Sequence, residues 1–121
     1  MPKLKLALVM AALLLATQAF AHEAKGPNGG RVIDAGNYHV ELVVGGTDVV
    51  VFVSDGDNRP IAPVGFKALA ILNAGGNAQR IALSPAEGKL TGKAEATLPA
   101  GVKGVVQLTS PDGKMAQGQL K

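Results

Sequence analysis

The sequence has 121 residues, of which 12 are Lys or Arg and 9 are Asp or Glu, giving a formal net charge of +3. Its basic residues stand singly and its aromatics are three Phe and one Tyr, whereas a nucleic-acid-binding surface normally combines a basic cluster with stacking aromatics. Nucleic-acid binding is therefore excluded, and the absence of cysteine means that the fold is held without disulfides.

The first residues predict a secretory signal peptide. Lys3 and Lys5 give a positive start, "LALVMAALLLA" is an apolar run over residues 6–16, and Ala19-Phe20-Ala21 supplies a small-x-small cleavage pattern. The run is about half of the roughly 20 apolar residues that a membrane-spanning helix needs. We therefore expect residues 1–21 to be removed on export, leaving a periplasmic protein that begins at His22 and does not insert into the membrane.

Two segments follow the predicted signal peptide. Residues 22–30 lack a strand pattern, and we expect them to begin the mature chain as a flexible arm. The next segment, "RVIDAGNYHVELVV", has two strand-like runs around Ala35-Gly36, and the flanking Asp34 and Asn37 favour a tight hairpin there.

Short strand-like runs continue to the end of the chain. "TDVVVFVSD" is continuously apolar at its centre, as expected of a strand buried on both faces, and "DGDNRP" is typical of a turn. "FKALAILN" suits a strand or a short helix, and its glycine-rich flanks favour the strand. The remaining runs are "QRIALSP", "KLTGKAEATLP", "VKGVVQLTS" and "MAQGQL". The spacing predicts a single domain over residues 31–121, a small antiparallel Ig-like sandwich of about seven or eight strands.

The sequence has two histidines, His22 and His39. Because side chains alternate along a strand, His39 and Glu41 are expected to share one face, opposite the apolar face of the same strand. With Ala35-Gly36 as the two-residue loop, Val32 would pair with His39 and Gly30 with Glu41. The nine-residue arm can span about 30 Å when extended, so His22 could fold back to His39.

These residues predict a transition-metal site. After cleavage, His22 would offer its α-amine and an imidazole nitrogen, and His39 a second imidazole. Three nitrogens in a T or square arrangement suit Cu(II). Glu41 or Asp34 would add an oxygen ligand or a hydrogen bond that orients a histidine. Zinc fits less well because four protein ligands are hard to assemble here.

An amino-terminal histidine on a β-sandwich resembles the histidine brace of periplasmic copper carriers of the CopC type. The resemblance covers the mature first residue and the predicted fold. It implies copper binding through the terminal amine and imidazole of His22. Those proteins have a further acid and histidine late in the chain, whereas no histidine follows His39 here.

A longer stretch is similar to the small amino-terminal domain of some periplasmic adaptor (membrane-fusion) proteins of cation-efflux pumps. The similarity lies in "PNGGRVIDAGNYHVELVV", then "VVVFVSDGDNRPI" and the later "DGK". It implies a periplasmic module that handles heavy metals beside a component of a cation-efflux system, with His39 and Glu41 as the residues of interest. The long hairpin and lipoyl-like parts of an adaptor are missing.

The sequence gives little support to other chemistry. Ser54, Ser84 and Ser110 lack the flanking glycines of a nucleophile elbow, so no hydrolase is indicated. Asp55 and Asp57 have the spacing of a calcium loop but not its terminal glutamate, and a plain turn explains them better.

The predicted function is therefore a non-enzymatic periplasmic carrier or binding protein for a transition metal, most plausibly copper, associated with efflux or resistance. Its affinity should fall at low pH, because imidazole and amine nitrogens bind metal only when deprotonated. The alternative is a structural or protein-interaction sandwich that offers strand edges to a partner and has no cofactor. The sequence leaves both open.

Overall fold

The structure, a computed structural model, describes residues 24–121, so the predicted signal peptide and His22 lie outside it. The described residues form nine strands, each antiparallel to its neighbours, and contain no helix that could span a membrane. The strands are β1 (Ala24–Lys25), β2 (Arg31–Ala35), β3 (Tyr38–Gly45), β4 (Asp48–Ser54), β5 (Lys67–Ala74), β6 (Asn77–Ala86), β7 (Lys89–Lys93), β8 (Lys103–Thr109) and β9 (Met115–Leu120).

The strands form one strongly curled sheet in the order β1-β2-β3-β4-β7-β6-β5-β8-β9. β6 joins its two halves, because residues 77–83 pair with β5 whereas residues 84–86 pair with β7. Strand β9 returns to lie against β2, where a Cβ on Gly118 would overlap the Asp34 carbonyl oxygen. The predicted small antiparallel β-sandwich is confirmed, with β1 as an additional short strand inside the segment predicted as an arm.

A single apolar core lies between the two halves of the sheet. Alternate residues of each strand point into it, as strand geometry requires, and the chain fills it with Val, Leu, Ile and Ala in place of large aromatics. The ten largest side chains with almost no exposure are Ile33, Val40, Val49, Val51, Leu72, Leu90, Val102, Val106, Leu108 and Leu120.

The β2–β3 hairpin has a different register from the one that the sequence predicted. Its two-residue turn is Gly36-Asn37, so Asp34 pairs with His39 and Val32 with Glu41. Ala35 belongs to β2 because its side chain is fully buried in the core. Gly36 has φ +62°, the conformation that favours glycine at the first turn position. The predicted pairs, Val32 with His39 and Gly30 with Glu41, are therefore wrong.

Strand β4 also differs from its prediction. Val49, Val51 and Val53 are buried in the core, but Val50 and Phe52 between them are only half-buried. Among the described residues, the outer face of β4 has only partial cover. This uncovered outer face, shared with β2 and β3, is where the predicted site residues lie.

Candidate functional site

His39 and Glu41 share the outer face of β3. The residues that alternate with them, Val40 and Leu42, are 0% and 2% exposed on the core side. Their cross-strand partners on β2 are Asp34 for His39 and Val32 for Glu41. One face of the hairpin therefore carries Val32, Asp34, His39 and Glu41. The Asp34–His39 pair lies nearer the hairpin turn than the Val32–Glu41 pair.

Glu41 is only 4% exposed, because a turn at the end of the arm covers it. Its carboxylate accepts three hydrogen bonds from that turn. Glu41 Oε2 accepts from the backbone N–H of Asn28 at 2.9 Å and of Gly30 at 2.8 Å, and Oε1 accepts from Asn28 Nδ2 at 2.9 Å. Both carboxylate oxygens are satisfied, as burial of an acid requires.

The covering turn, residues 26–30, is closed by its own backbone hydrogen bonds. Gly26 N donates to Gly30 O at 2.9 Å, and Gly29 N donates to Gly26 O at 3.1 Å. Gly26 lies so close to Glu41 that a Cβ there would overlap the carboxylate. The sequence analysis missed this contact. The glycine-rich "GPNGG", which has no apolar side chain to bury except Pro27, is the local signal for it.

His39 has an oxygen near each ring nitrogen. Nε2 lies 3.2 Å from Asp34 Oδ1, and Nδ1 lies 2.7 Å from Asn58 Oδ1. The His39 side chain is 26% exposed and that of Asp34 73% exposed. Because a neutral imidazole has one N–H, it donates to only one of these two oxygens. A hydrogen bond at the other ring nitrogen requires either a second proton on the ring or the amide nitrogen of Asn58 in place of its oxygen.

Asp34, His39 and Ser54 are cross-strand neighbours in that order on β2, β3 and β4. The order brings together the residue types of a hydrolytic triad. However, His39 Nδ1 lies against Asn58 and its Nε2 against Asp34. Both ring nitrogens of His39 are thus occupied by groups other than Ser54, and the geometry does not activate Ser54 as a nucleophile.

A cleft of about 620 Å³ lies beside these residues. Its floor is formed by Val32, Glu41 and Phe52 on the outer face of the sheet. One wall is the arm and the other is the segment between β4 and β5, which includes Asn58. The full lining is Ala24, Lys25, Pro27, Asn28, Val32, Glu41, Phe52, Val53, Ser54, Asn58, Pro60, Ile61 and Gly88. Ala24 and Asn58 thus line the same cleft, and Asn58 is the residue whose side-chain oxygen lies against His39 Nδ1.

The acidic turn on the far wall is occupied by its own hydrogen bonds. Asp55 Oδ1 accepts the backbone N–H of Asp57 at 2.8 Å and of Arg59 at 2.9 Å. The Arg59 backbone N–H, with smaller contributions from Asp57 N–H and the Arg59 guanidinium, holds the pKa of the Asp55 carboxyl below its ordinary value. The Asp55 carboxylate therefore stabilises the backbone of its own turn.

Of the predicted ligands, the structure shows His39 and Glu41 on one face but with separate partners, and His22 lies outside residues 24–121. Within that described range, no group of three or more His, Cys, Asp or Glu could hold a metal ion. Comparison with protein-family models, with curated proteins and with solved structures finds no match to this chain.

Proposed function

We propose that this protein is a non-enzymatic periplasmic carrier that binds one transition-metal ion, Cu(II), where the arm meets the β2–β3 hairpin. The ligands are the α-amine and imidazole of His22 and the imidazole of His39. The observation that carries the proposal is the direction of β1, which points its amino-terminal end toward the end of the hairpin that holds His39. Such a carrier would deliver copper to, or receive it from, a periplasmic component of a cation-efflux system.

The direction of β1 follows from strand pairing. β1 is antiparallel to β2, with Ala24 opposite Val32 and Lys25 opposite Arg31. The amino-terminal end of β1, at Ala24, is thus the end nearer the hairpin turn. Two further residues span at most about 7 Å, and β3 lies two strand spacings of about 4.8 Å each from β1, a distance that the side chains of His22 and His39 help to cover. His22 can therefore reach the Asp34–His39 pair.

The route to His39 runs over the outer face of the sheet. A chain that continued in the plane of the sheet along β2 would meet β9, since Gly118 is packed against the carbonyl of Asp34. The outer face carries the side chains of Asp34 and His39 and opens into the cleft. The amine and the ring of His22 would therefore approach His39 from above the sheet.

We assign Nδ1 of His39 as the ligand atom, with Nε2 protonated toward Asp34. Asp34 Oδ1 is placed to accept Nε2–H, the outer-shell arrangement that orients metal-bound histidines. Nδ1 then faces Asn58 at the cleft, and the ion would displace Asn58 Oδ1. Asp34 is the exposed carboxylate next to the site, whereas both oxygens of Glu41 already accept N–H groups from the arm.

Copper fits this donor set better than zinc does. Three nitrogens with a nearby exposed carboxylate suit the tetragonal geometry of Cu(II), which also stands at the top of the divalent affinity series. A structural zinc site needs four protein ligands in a tetrahedron.

A Cu(II) titration of the mature protein tests the proposal. The protein beginning at His22 should bind one ion, and both an extra residue ahead of His22 and His39→Ala should weaken binding by more than about 100-fold, since each removes a direct ligand rather than an outer-shell partner. Asp48→Asn, which removes an exposed carboxylate of β4 paired with Lys93 of β7, is the matched control and should bind normally. Mass spectrometry of the exported protein should find His22 first.

The alternative is a protein-interaction sandwich without metal. It is favoured by two large apolar side chains that stay in solvent, Val64 at 79% and Met115 at 65% exposure. Equal, weak copper binding by the wild type, the extended protein and His39→Ala would contradict the carrier and leave this alternative. Loss of copper binding in both altered proteins, with Asp48→Asn unchanged, would support the carrier.

A further inference from the structure

We propose that the outer face of strands β5, β6, β8 and β9 is a docking surface for a protein partner that presents an acidic patch. This basic face belongs to the half of the sheet that does not carry His39, and the proposal does not depend on copper binding. The residues that define the basic face are Lys67, Arg80 and Lys103 around its edge and Leu69, Ile71 and Val105 at its centre.

Strand register places these residues side by side. Ile71 in β5 lies opposite Arg80 in β6 on one side and opposite Val105 in β8 on the other. Because side chains alternate along a strand, Lys67 and Leu69 lie on the same face of β5 as Ile71. The residues between them are buried in the core, so the basic face points away from it.

The charge of the basic face has a single sign. Strands β5, β6, β8 and β9 contain no Asp or Glu, whereas β2, β3 and β4 contain one acid each. Lys67, Arg80 and Lys103 are exposed, and none of them forms an ion pair with another residue of the range 24–121. Positive charge that the protein does not neutralise itself attracts and orients an anionic partner.

The centre of the basic face is apolar. Leu69, Ile71 and Val105 are half-buried, and the neighbouring Gln107 and Gln117, which are paired across β8 and β9, supply amide donors and acceptors. An apolar centre with a polar and charged rim is the usual composition of a protein–protein interface. The basic face therefore combines apolar contact area with charges that select an acidic partner.

The same residues favour a protein over other anionic partners. Nucleic acids and sugars are commonly held by stacking on aromatic side chains, and the four strands contain no aromatic residue. A lipid surface is bound by apolar side chains that enter it by about 5–10 Å. On the basic face the central apolar side chains are half-buried, and Met115 at the edge is the one large apolar side chain that is exposed among the described residues of these strands.

The size of the basic face predicts a transient contact. Four strands about 4.8 Å apart span about 14 Å, and β5 from Lys67 to Asn73 extends about 20 Å. Such a footprint is well below the roughly 800 Å² that each partner buries in a stable complex. We therefore expect weak, salt-sensitive binding that depends on the three basic residues.

The probe for the experiment is an amphipathic helical peptide of about 14 residues, with Leu along one face and Glu on both sides of it. A second peptide has Gln in place of every Glu. Backbone amide NMR shifts of the protein locate the bound peptide and give its affinity at low salt. Arg80→Glu and Lys103→Glu test the basic face, and Lys25→Glu on β1 is the matched control with the same change of net charge.

The acidic peptide should shift the amides of β5 and β8, and its affinity should fall as salt is added. Arg80→Glu and Lys103→Glu should each weaken binding by about tenfold or more, because each places a like charge against the peptide. Lys25→Glu should bind almost as the wild type does, and the Gln peptide should bind much more weakly. Folding is preserved in all three variants, because exposed substitutions change stability by only about 0.5 kcal/mol, and circular dichroism confirms it.

Four results would overturn the proposal. Shifts located outside the four strands would place the contact elsewhere. Equal affinity for the two peptides, or equal weakening by Lys25→Glu, would show that the basic face does not select acidic groups. Stronger binding to phosphatidylglycerol vesicles than to the peptide, lost in Arg80→Glu, would make the basic face a membrane surface. Self-association in sedimentation that Arg80→Glu abolishes would make it an interface between copies of this chain. Failure of the protein to bind copper would leave the proposal unaffected.

Discussion

The two faces of the β2–β3 hairpin bury different kinds of group by different means. On the inner face, Ile33, Val40 and Leu42 are at most 2% exposed and contact other apolar side chains. On the outer face, Glu41 is almost as deeply buried, but by three hydrogen bonds from the arm. Apolar burial is non-directional, whereas hydrogen bonds require defined donor positions.

This difference separates what holds the domain together from what holds the candidate site together. Inner-face changes should lower the free energy of unfolding of the whole domain and leave the arm in place for as long as the protein stays folded. Outer-face changes should release the arm or the ion with a smaller effect on the domain. The four predictions that follow test this separation, from the largest expected effect to the smallest.

Leu72→Ala should have the largest effect on stability. Leu72 in β5 is fully buried in the core, and replacing such a leucine by alanine lowers the free energy of unfolding by about 2–5 kcal/mol. Urea denaturation followed by circular dichroism would measure the loss. At a temperature where the variant is folded, its copper affinity should equal that of the wild type. Reduced affinity in the folded variant would show that the two faces are coupled.

Glu41→Ala should lower the free energy of unfolding by about 1–3 kcal/mol, because it removes the acceptor for three N–H groups. The loss is smaller than for a core leucine because the released arm can bond to water. Urea denaturation gives the total, and amide exchange shows where it arises. Faster exchange confined to the arm would support the separation, and uniformly faster exchange throughout the sheet would contradict it.

Strand alternation explains what the sequence could predict. It correctly indicated the sandwich and the shared face of His39 and Glu41, because alternation depends only on the parity of positions along one strand. It failed on the hairpin register. Both Ala35-Gly36 and Gly36-Asn37 are acceptable turns locally, and the choice is made by the burial of Ala35 in the core. That burial comes from packing between the two halves of the sheet.

The burial of Glu41 could not be predicted from its neighbours in the sequence, for a similar reason. A glutamate beside a histidine on an outer strand face normally stands in solvent. Its burial depends on a turn 13 residues earlier in the chain folding onto β3. The glycines that permit the contact are visible in the sequence. They indicate a loop, but they do not indicate which residue the loop approaches.

A comparison of Asp34→Asn with Asp48→Asn distinguishes a carboxylate of the candidate site from an ordinary exposed carboxylate. Asp34 lies 3.2 Å from His39 and Asp48 lies 2.5 Å from Lys93, and both carboxylates are more than 60% exposed. Each substitution should therefore lower the free energy of unfolding by less than about 1 kcal/mol. Only Asp34→Asn should also weaken Cu(II) binding, by about tenfold, because Asp34 orients His39. Urea denaturation measures the stability of each variant and calorimetric titration its Cu(II) affinity, and equal affinities would remove Asp34 from the site.

The smallest effect is expected at Asp55, an acid held by backbone N–H groups as Glu41 is, but in an exposed turn. Its pKa in the folded protein is below the ordinary 3.8, chiefly because of the Arg59 backbone N–H. Its contribution to stability is therefore present above pH 3.8 and is lost as the pH falls through the lowered folded value. Carbon-detected NMR of the Asp55 carboxyl would show a midpoint below 3.8. Arg59→Ala keeps the backbone donor, so the midpoint should stay low. A return to 3.8 in Arg59→Ala would assign the effect to the guanidinium instead of the backbone, and would weaken the parallel with the backbone-held carboxylate of Glu41.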